Sequence, residues 1–99
     1  MINFGSSNKI MHSKLLIFLG KGVIINQLSS IGHDVSIGDF SEICPNVSIS
    51  GNCVLGEQVF IGTGAIILPK VKIGNNTIVG AGSVVTKDLP NNCLAVGIP

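Results

Sequence analysis

From Leu19 to Val85 every sixth residue is a branched aliphatic: Leu19, Ile25, Ile31, Ile37, Ile43, Ile49, Leu55, Ile61, Ile67, Ile73, Val79 and Val85. All twelve positions of this register are filled, in a chain where Ile, Leu and Val make up 33 of 99 residues. Chance would fill one register this way on the order of once in 10⁵–10⁶ sequences, so the period is the fold signal. The following position is Gly at seven of the twelve: Gly20, Gly32, Gly38, Gly56, Gly62, Gly74 and Gly80. The fifth position stays small or β-branched almost throughout, from Val23, Ser29 and Val35 through Cys53 and Ala65 to Thr77, Ser83 and then Leu89. A period of six fits neither an amphipathic helix nor a hairpin meander. It fits a short strand and a sharp corner, repeated without insertion. The expected fold is therefore all-β: a left-handed parallel β-helix of about four triangular coils, three hexads to a coil.

The register also divides the chain. Residues 1–18 carry no hexads and read as an irregular lead-in or a domain remnant, 19–90 as the β-helix, and 91–99 as a truncated C-terminal segment. The last stretch leaves the register through Asp88, Leu89, Pro90 and Asn91 and shows no element that covers the open coil, so the chain reads as a fragment.

A repeat of 18 sorts the outward residues into columns. One corner carries His33, Gly51, Pro69 and Lys87; a second carries Gln27, Pro45, Thr63 and Ala81; a third, uniformly polar, carries Lys21, Asp39, Glu57 and Asn75. On one face the outward strand residues are Ile24, Glu42, Phe60 and Ile78. Three large apolar groups pointing out of a prism need a cover, and a second copy of the chain is the natural one.

Composition narrows the function classes. A net charge of +1 gives no reason to expect a nucleic-acid partner. The clearest apolar run, Leu15 to Leu19, is five residues, against the roughly 20 of a membrane-spanning helix. No membrane span and no signal peptide are expected, and the protein reads as soluble. Cys44, Cys53 and Cys93 are odd in number and lack a Cys-x-x-Cys spacing, which fits reduced thiols in the cytoplasm.

The chemistry candidates are few. His12 lies outside the repeats and is assigned no role. His33 sits at a corner and is followed by Asp34; as a bland turn residue it would simply be solvated, and as a working one it is a general base. One coil above it lies Gly51, whose N–H is positioned to donate to a developing oxyanion. Base and donor stacked in this way suit acyl transfer. No zinc site is expected, since one histidine in the repeats does not supply three or four nitrogen or sulfur ligands. Gly80-Ala81-Gly82 lacks the strand-to-helix context of a nucleotide loop.

From Gly20 to Pro99 the chain resembles the sugar O-acyltransferases of the sialic acid O-acetyltransferase (NeuD) type, a group similar to the bacterial UDP-amino-sugar N-acetyltransferases. The resemblance is carried by Ile31-Gly32-His33-Asp34, Ile37-Gly38-Asp39-Phe40, Ile43-Cys44-Pro45, Ser50-Gly51-Asn52, Ile61-Gly62-Thr63-Gly64-Ala65, Val79-Gly80-Ala81-Gly82-Ser83-Val84-Val85 and the ending from Lys87-Asp88-Leu89-Pro90 to Gly97-Ile98-Pro99. It implies an acetyl-CoA-dependent transferase without a metal, acting on an amine or hydroxyl of a sugar or nucleotide-sugar. His33 would be the base, Asp34 its acidic partner, and the Gly51 N–H the donor to the thioester carbonyl. Thr63 and Ala81 fall where the family's backbone meets acetyl-CoA. Glu42 stands where a second histidine often touches the cofactor, and a carboxylate at neutral pH accepts without donating. The family is trimeric with sites between subunits, which suits a chain whose His33 and Thr63 lie on different corners. Its usual N-terminal acceptor domain has no counterpart here. Two other readings remain: a trimerising scaffold without activity, and a hexapeptide acyltransferase with a non-sugar acceptor.

Overall fold

A computed structural model describes residues 16–99 in full, together with the backbone of Ile2–Phe4, Asn8–His12 and Leu15; the His12 side chain lies outside the described residues. The strands stack as three sheets, one per side of a triangular prism. The first holds β1 (Ile2–Phe4), β4 (Val23–Ile25), β7 (Glu42–Ile43), β10 (Phe60–Ile61), β13 (Ile78–Val79) and β15 (Leu94–Ala95), in that order. The second runs β5 (Ser30–Ile31), β8 (Ser48–Ile49), β11 (Ile66–Ile67), β14 (Val84–Val85). The third runs β2 (Asn8–His12), β3 (Leu15–Leu19), β6 (Val35–Ile37), β9 (Val54–Leu55), β12 (Lys72–Ile73). Among the described residues there is no helix. From β3 to β14 all pairings are parallel and offset by 18 residues, such as Ile49 with Ile67 and Ile61 with Val79. This is the architecture of the hexapeptide β-helix that the period predicts, with coils rising about 4.8 Å each.

The first and fifth positions of each hexad face inward. Ile37, Ile43, Ile49, Leu55, Ile61 and Ile67 are almost completely buried, as are Val23, Val35, Val47 and Val59. Three of the four fifth-position hydroxyls, those of Ser29, Ser41 and Thr77, are paired with the coil above. Ser41 Oγ donates to the Gly56 carbonyl (3.0 Å) and accepts from the Val59 N–H (3.1 Å). Thr77 Oγ1 does the same with Pro90 O (2.7 Å) and Cys93 N–H (3.3 Å). Ser83 Oγ is buried and has no partner among the described residues.

Corners are closed by the fourth position, which the hexad count by itself did not single out. Gly22, Leu28, Asp34, Phe40, Asn46, Asn52, Gln58, Gly64, Lys70, Asn76, Gly82 and Asn92 all have φ between 54° and 75°. Each closes a left-handed turn, and the N–H of most donates to a third-position carbonyl in the coil below, as Asn52 does to His33 O (2.9 Å) and Gln58 to Asp39 O (2.8 Å). The bond offsets the strain that a side chain incurs there. The second-position glycines answer a different need. A Cβ on Gly38 would stand 2.5 Å from the Gly56 carbonyl carbon and oxygen, so the next coil's backbone occupies the space.

Two ends depart from expectation. The lead-in over 1–18, read as irregular, contributes three strands: β2 pairs antiparallel with β3, β1 antiparallel with β4, and β3 parallel with β6. The physical reason is visible in Ile17 and Leu19, which alternate inward while Leu16 and Phe18 do not. At the other end the corner after Val85 is two residues shorter than its predecessors. Leu89, counted in the fifth-position series, instead bridges Ile73 in the aliphatic column. The coil then closes normally, with Leu94 and Ala95 beside Ile78 and Val79.

Candidate active site on two neighbouring corners

His33 and Asp34 end the turn between the second and third sheets. Asp34 is held left-handed (φ 56°) and its N–H donates to Leu16 O at 2.6 Å. That conformation turns its carboxylate back to the imidazole, with Oδ2 3.0 Å from His33 Nδ1. When Nδ1 carries the hydrogen toward Asp34, Nε2 presents a lone pair. Both side chains remain more than half exposed, at 58% and 51%, so the pair is open to a ligand.

The imidazole lies across Gly51. A Cβ on Gly51 would stand 2.6 Å from Nε2, so glycine is what lets the ring settle there. Below, Gly32 makes the matching concession: its Cβ would meet the Gly51 nitrogen at 2.6 Å. The Gly51 N–H donates to no acceptor within the chain, among the described residues. His33, Asp34 and Gly51 are thus brought together as a base-like ring, its carboxylate orienter and an uncommitted donor.

The next corner along the second sheet carries Thr63 and Ala81. Thr63 O accepts the Gly82 N–H at 2.8 Å, and Pro45 O accepts the Gly64 N–H at 3.1 Å, which sets Pro45, Thr63 and Ala81 in one column. The Thr63 and Ala81 N–H groups are likewise uncommitted among the described residues. The third corner shows the contrast. There the same positions are satisfied by side chains one coil up: Lys21 N–H by Asp39 Oδ1 (3.0 Å), Glu57 by Asn75 (2.9 Å), Asn75 by Asn91 (2.7 Å).

Glu42 is half-buried on the first sheet, between Ile24 and Phe60. Cys44 ties it to the Thr63 corner. Burial pushes the Cys44 thiol up, the Glu42 charge adds to this, and a hydrogen bond with the Thr63 side chain opposes it. The thiol is therefore protonated at neutral pH. Within one chain the six expected site residues form two groups, His33–Asp34–Gly51 and Glu42–Thr63–Ala81, with the width of the second sheet between them. Gly64 and Gly82 belong to the second group although the hexad reading did not pick them out. Both are left-handed with nothing within 4 Å of a Cβ, so they leave the space beside Thr63 and Ala81 open. Their signal was the repetition of Thr-Gly and Ala-Gly at an interval of 18. Among the described residues no group of three His, Cys, Asp or Glu side chains is placed to hold a metal ion, and no helix is long and apolar enough to cross a membrane.

Residues 52–87 match the bacterial transferase hexapeptide family (six repeats). No curated protein matches the chain in sequence. Among solved structures, the repeat superposes on soybean serine acetyltransferase with a TM-score of 0.78 and 35% identity, over 84% of this chain and 38% of that one. Serine acetyltransferase of Neisseria gonorrhoeae, in complex with serine, gives 0.76 and 30% over 87% and 41%. PerB from Caulobacter crescentus, in complex with CoA and GDP-perosamine, gives 0.56 and 29% over 87% and 56%. The chain thus spans about two fifths of the length of the serine acetyltransferases it matches.

Proposed function

We propose that this chain is the catalytic β-helix of an acetyl-CoA-dependent acyltransferase that modifies an amine or hydroxyl of a small acceptor. The observation that carries this reading is His33 Nε2 lying against Gly51 while Asp34 engages Nδ1. In the reaction His33 takes the proton of the acceptor's amine or hydroxyl as that group attacks the thioester carbonyl. The Gly51 N–H donates to the oxyanion as it forms. The intermediate then collapses, the carbon–sulfur bond breaks, and the CoA thiolate leaves and is reprotonated. Thr63 and Ala81 hold the acyl carrier through their backbone N–H groups, with Glu42 on the adjoining face. The PerB and serine acetyltransferase structures support CoA as the acyl carrier, since relatives of this fold are solved with it.

The two groups of residues meet only between copies of the chain. We take the assembly to be a homotrimer in which the His33 corner of one subunit faces the Thr63 corner of the next, covering the exposed Phe60, Ile78 and Leu94. Phe60→Asp places a charge in that contact, so light scattering should show monomers or aggregates. An unchanged oligomer would mean that another face makes the contact.

The proposed acceptor is a sugar or nucleotide-sugar, sialic acid or a UDP-amino sugar, in the cytoplasm where acetyl-CoA is supplied. A second reading, acetylation of a serine-like hydroxyl, is favoured by the 30% and 35% identities to serine acetyltransferases. The test is mass spectrometry of the chain incubated with acetyl-CoA and a panel of serine, sialic acid and UDP-amino sugars. One acetylated product with stoichiometric release of CoA is expected, and its identity chooses between the readings. Intact acetyl-CoA with every acceptor on the panel, alongside a stable trimer, would favour the scaffold role.

A further inference from the structure

Seven serines lie between residues 16 and 99, and their hydroxyls fall into two sets. Ser29 and Ser41 spend theirs on the coil above, and Ser83 is buried in the interior. The other four are Ser30, Ser36, Ser48 and Ser50. None of them is fully buried, and each stands within three residues of His33 or Gly51. Among the described residues their hydroxyls pair with no group of the chain. Higher on the stack the same columns turn apolar. Above Ser30 and Ser48 come Ile66 and Val84, above Ser36 comes Val54, and above Ser50 comes Leu68. Free serine hydroxyls are thus confined to the two coils that hold the base and the oxyanion donor.

Charge is as unevenly placed. The chain has no arginine, and between residues 16 and 69 its one lysine is Lys21, which belongs to the third corner. On the His33 corner the first ammonium is Lys70, two coils up, which is about 10 Å at the spacing of paired strands. The charged group beside His33 is the Asp34 carboxylate. The reacting group is therefore surrounded by neutral groups that both donate and accept, next to an anion. Sugar hydroxyls donate and accept in the same way, whereas a carboxylate brought here meets Asp34 and finds no cation. Both corners of the proposed cleft border the second sheet. Ser30 and Ser48, partners in its ladder and about 4.8 Å apart, face the acceptor from that side, while Ser36 stands on the third sheet. We infer that Ser30 and Ser48 are the specificity-determining residues for the acceptor, pairing with ring hydroxyls of a sugar that carries no carboxylate beside the group to be acetylated. This rests on the acetyl-transfer reading above and narrows its acceptors, setting serine and sialic acid aside.

The experiment measures kcat and KM for a UDP-amino sugar, sialic acid and serine. It uses the wild-type chain, the double variant Ser30→Ala/Ser48→Ala, and Ser36→Ala, with CoA affinity titrated for each as a check of the fold. Wild type should favour the amino sugar over the two carboxylates in kcat/KM by about a hundredfold, the scale of a like-charge juxtaposition in a contact. The double variant should raise the amino-sugar KM about tenfold, the scale of two neutral hydrogen bonds lost, while kcat and CoA affinity hold. Ser36→Ala should match wild type. An unchanged KM in the double variant, or an equal rise in Ser36→Ala, overturns the assignment and leaves acetyl transfer standing. Comparable turnover of serine or sialic acid by wild type does the same. A fall in kcat at constant KM also overturns it, by placing the hydroxyls on the proton path. Acetyl-CoA left intact with every acceptor overturns the acetyl-transfer reading and the assignment together.

Discussion

His33→Ala lowers turnover by about 10²–10⁴, the usual contribution of a positioned general base, and leaves acetyl-CoA affinity nearly unchanged. The separation follows from the geometry. The imidazole touches Gly51 and Asp34 and sits one sheet away from the Thr63 and Ala81 N–H groups that would hold the carrier. Removing the ring leaves no hole in the core, because the side chain is mostly exposed. The thermal midpoint should accordingly stay within a degree or two, as for surface substitutions near ±0.5 kcal/mol. Asp34→Asn keeps the left-handed turn, which Asn46 and Asn52 also adopt, and should retain part of the wild-type rate through a neutral hydrogen bond to Nδ1. Steady-state kinetics and direct CoA titration of the same samples check both parts. Equal turnover of wild type and His33→Ala sinks the mechanism, and a large loss of CoA affinity would place His33 in the carrier site instead.

Ile49→Ala destabilises the chain by about 2–5 kcal/mol, as large-to-small changes in a packed core do. Ile49 is almost fully buried in the second sheet, with Ile31 below and Ile67 above in the same ladder. The narrow interior of the prism is lined on the other two sides by Ile43, Leu55 and Ile61, which the closed coils hold apart and which cannot collapse into the space. The loss spreads to the site, since β8 leads directly into Gly51. Denaturant unfolding measures the change, and a loss under about 0.5 kcal/mol would mean that the inward column has been misassigned.

Much of this was legible because a β-helix writes its geometry into a fixed count. The inward column from Leu19 to Val85, the outward set Ile24–Glu42–Phe60–Ile78 and the stacking of His33 under Gly51 all follow once six residues are equated with one side. What the count hid was conformational. Phe40, Gln58 and Lys70 give no sign by residue type that they sit left-handed; the bond each N–H makes to the coil below holds them there. Nor does the hexad count reveal which corner N–H groups stay uncommitted. That depended on the side chain one coil up: Asp39, Asn75 or Asn91 accepts at one corner, whereas Pro69 above Gly51 and Ala81 above Thr63 offer no acceptor. The strands before Leu19 were missed because β1 and β2 pair antiparallel, outside any sixfold rule.

The short turn at Thr86–Asp88 carries a lesson about inheritance. Two residues fewer at that bend leave Leu89 seated on Ile73 and Ala95 on Val79, so the ladder aligns strand on strand and is indifferent to how many residues lie between. A length change at one bend is absorbed locally and never passed up as a phase error. Insertions at such bends would be extruded as surface loops at modest entropic cost, since doubling a loop's length adds only about 0.6 kcal/mol. Bends are thus the places where a solenoid of this kind is free to acquire new acceptor-binding loops while its inner columns stay fixed.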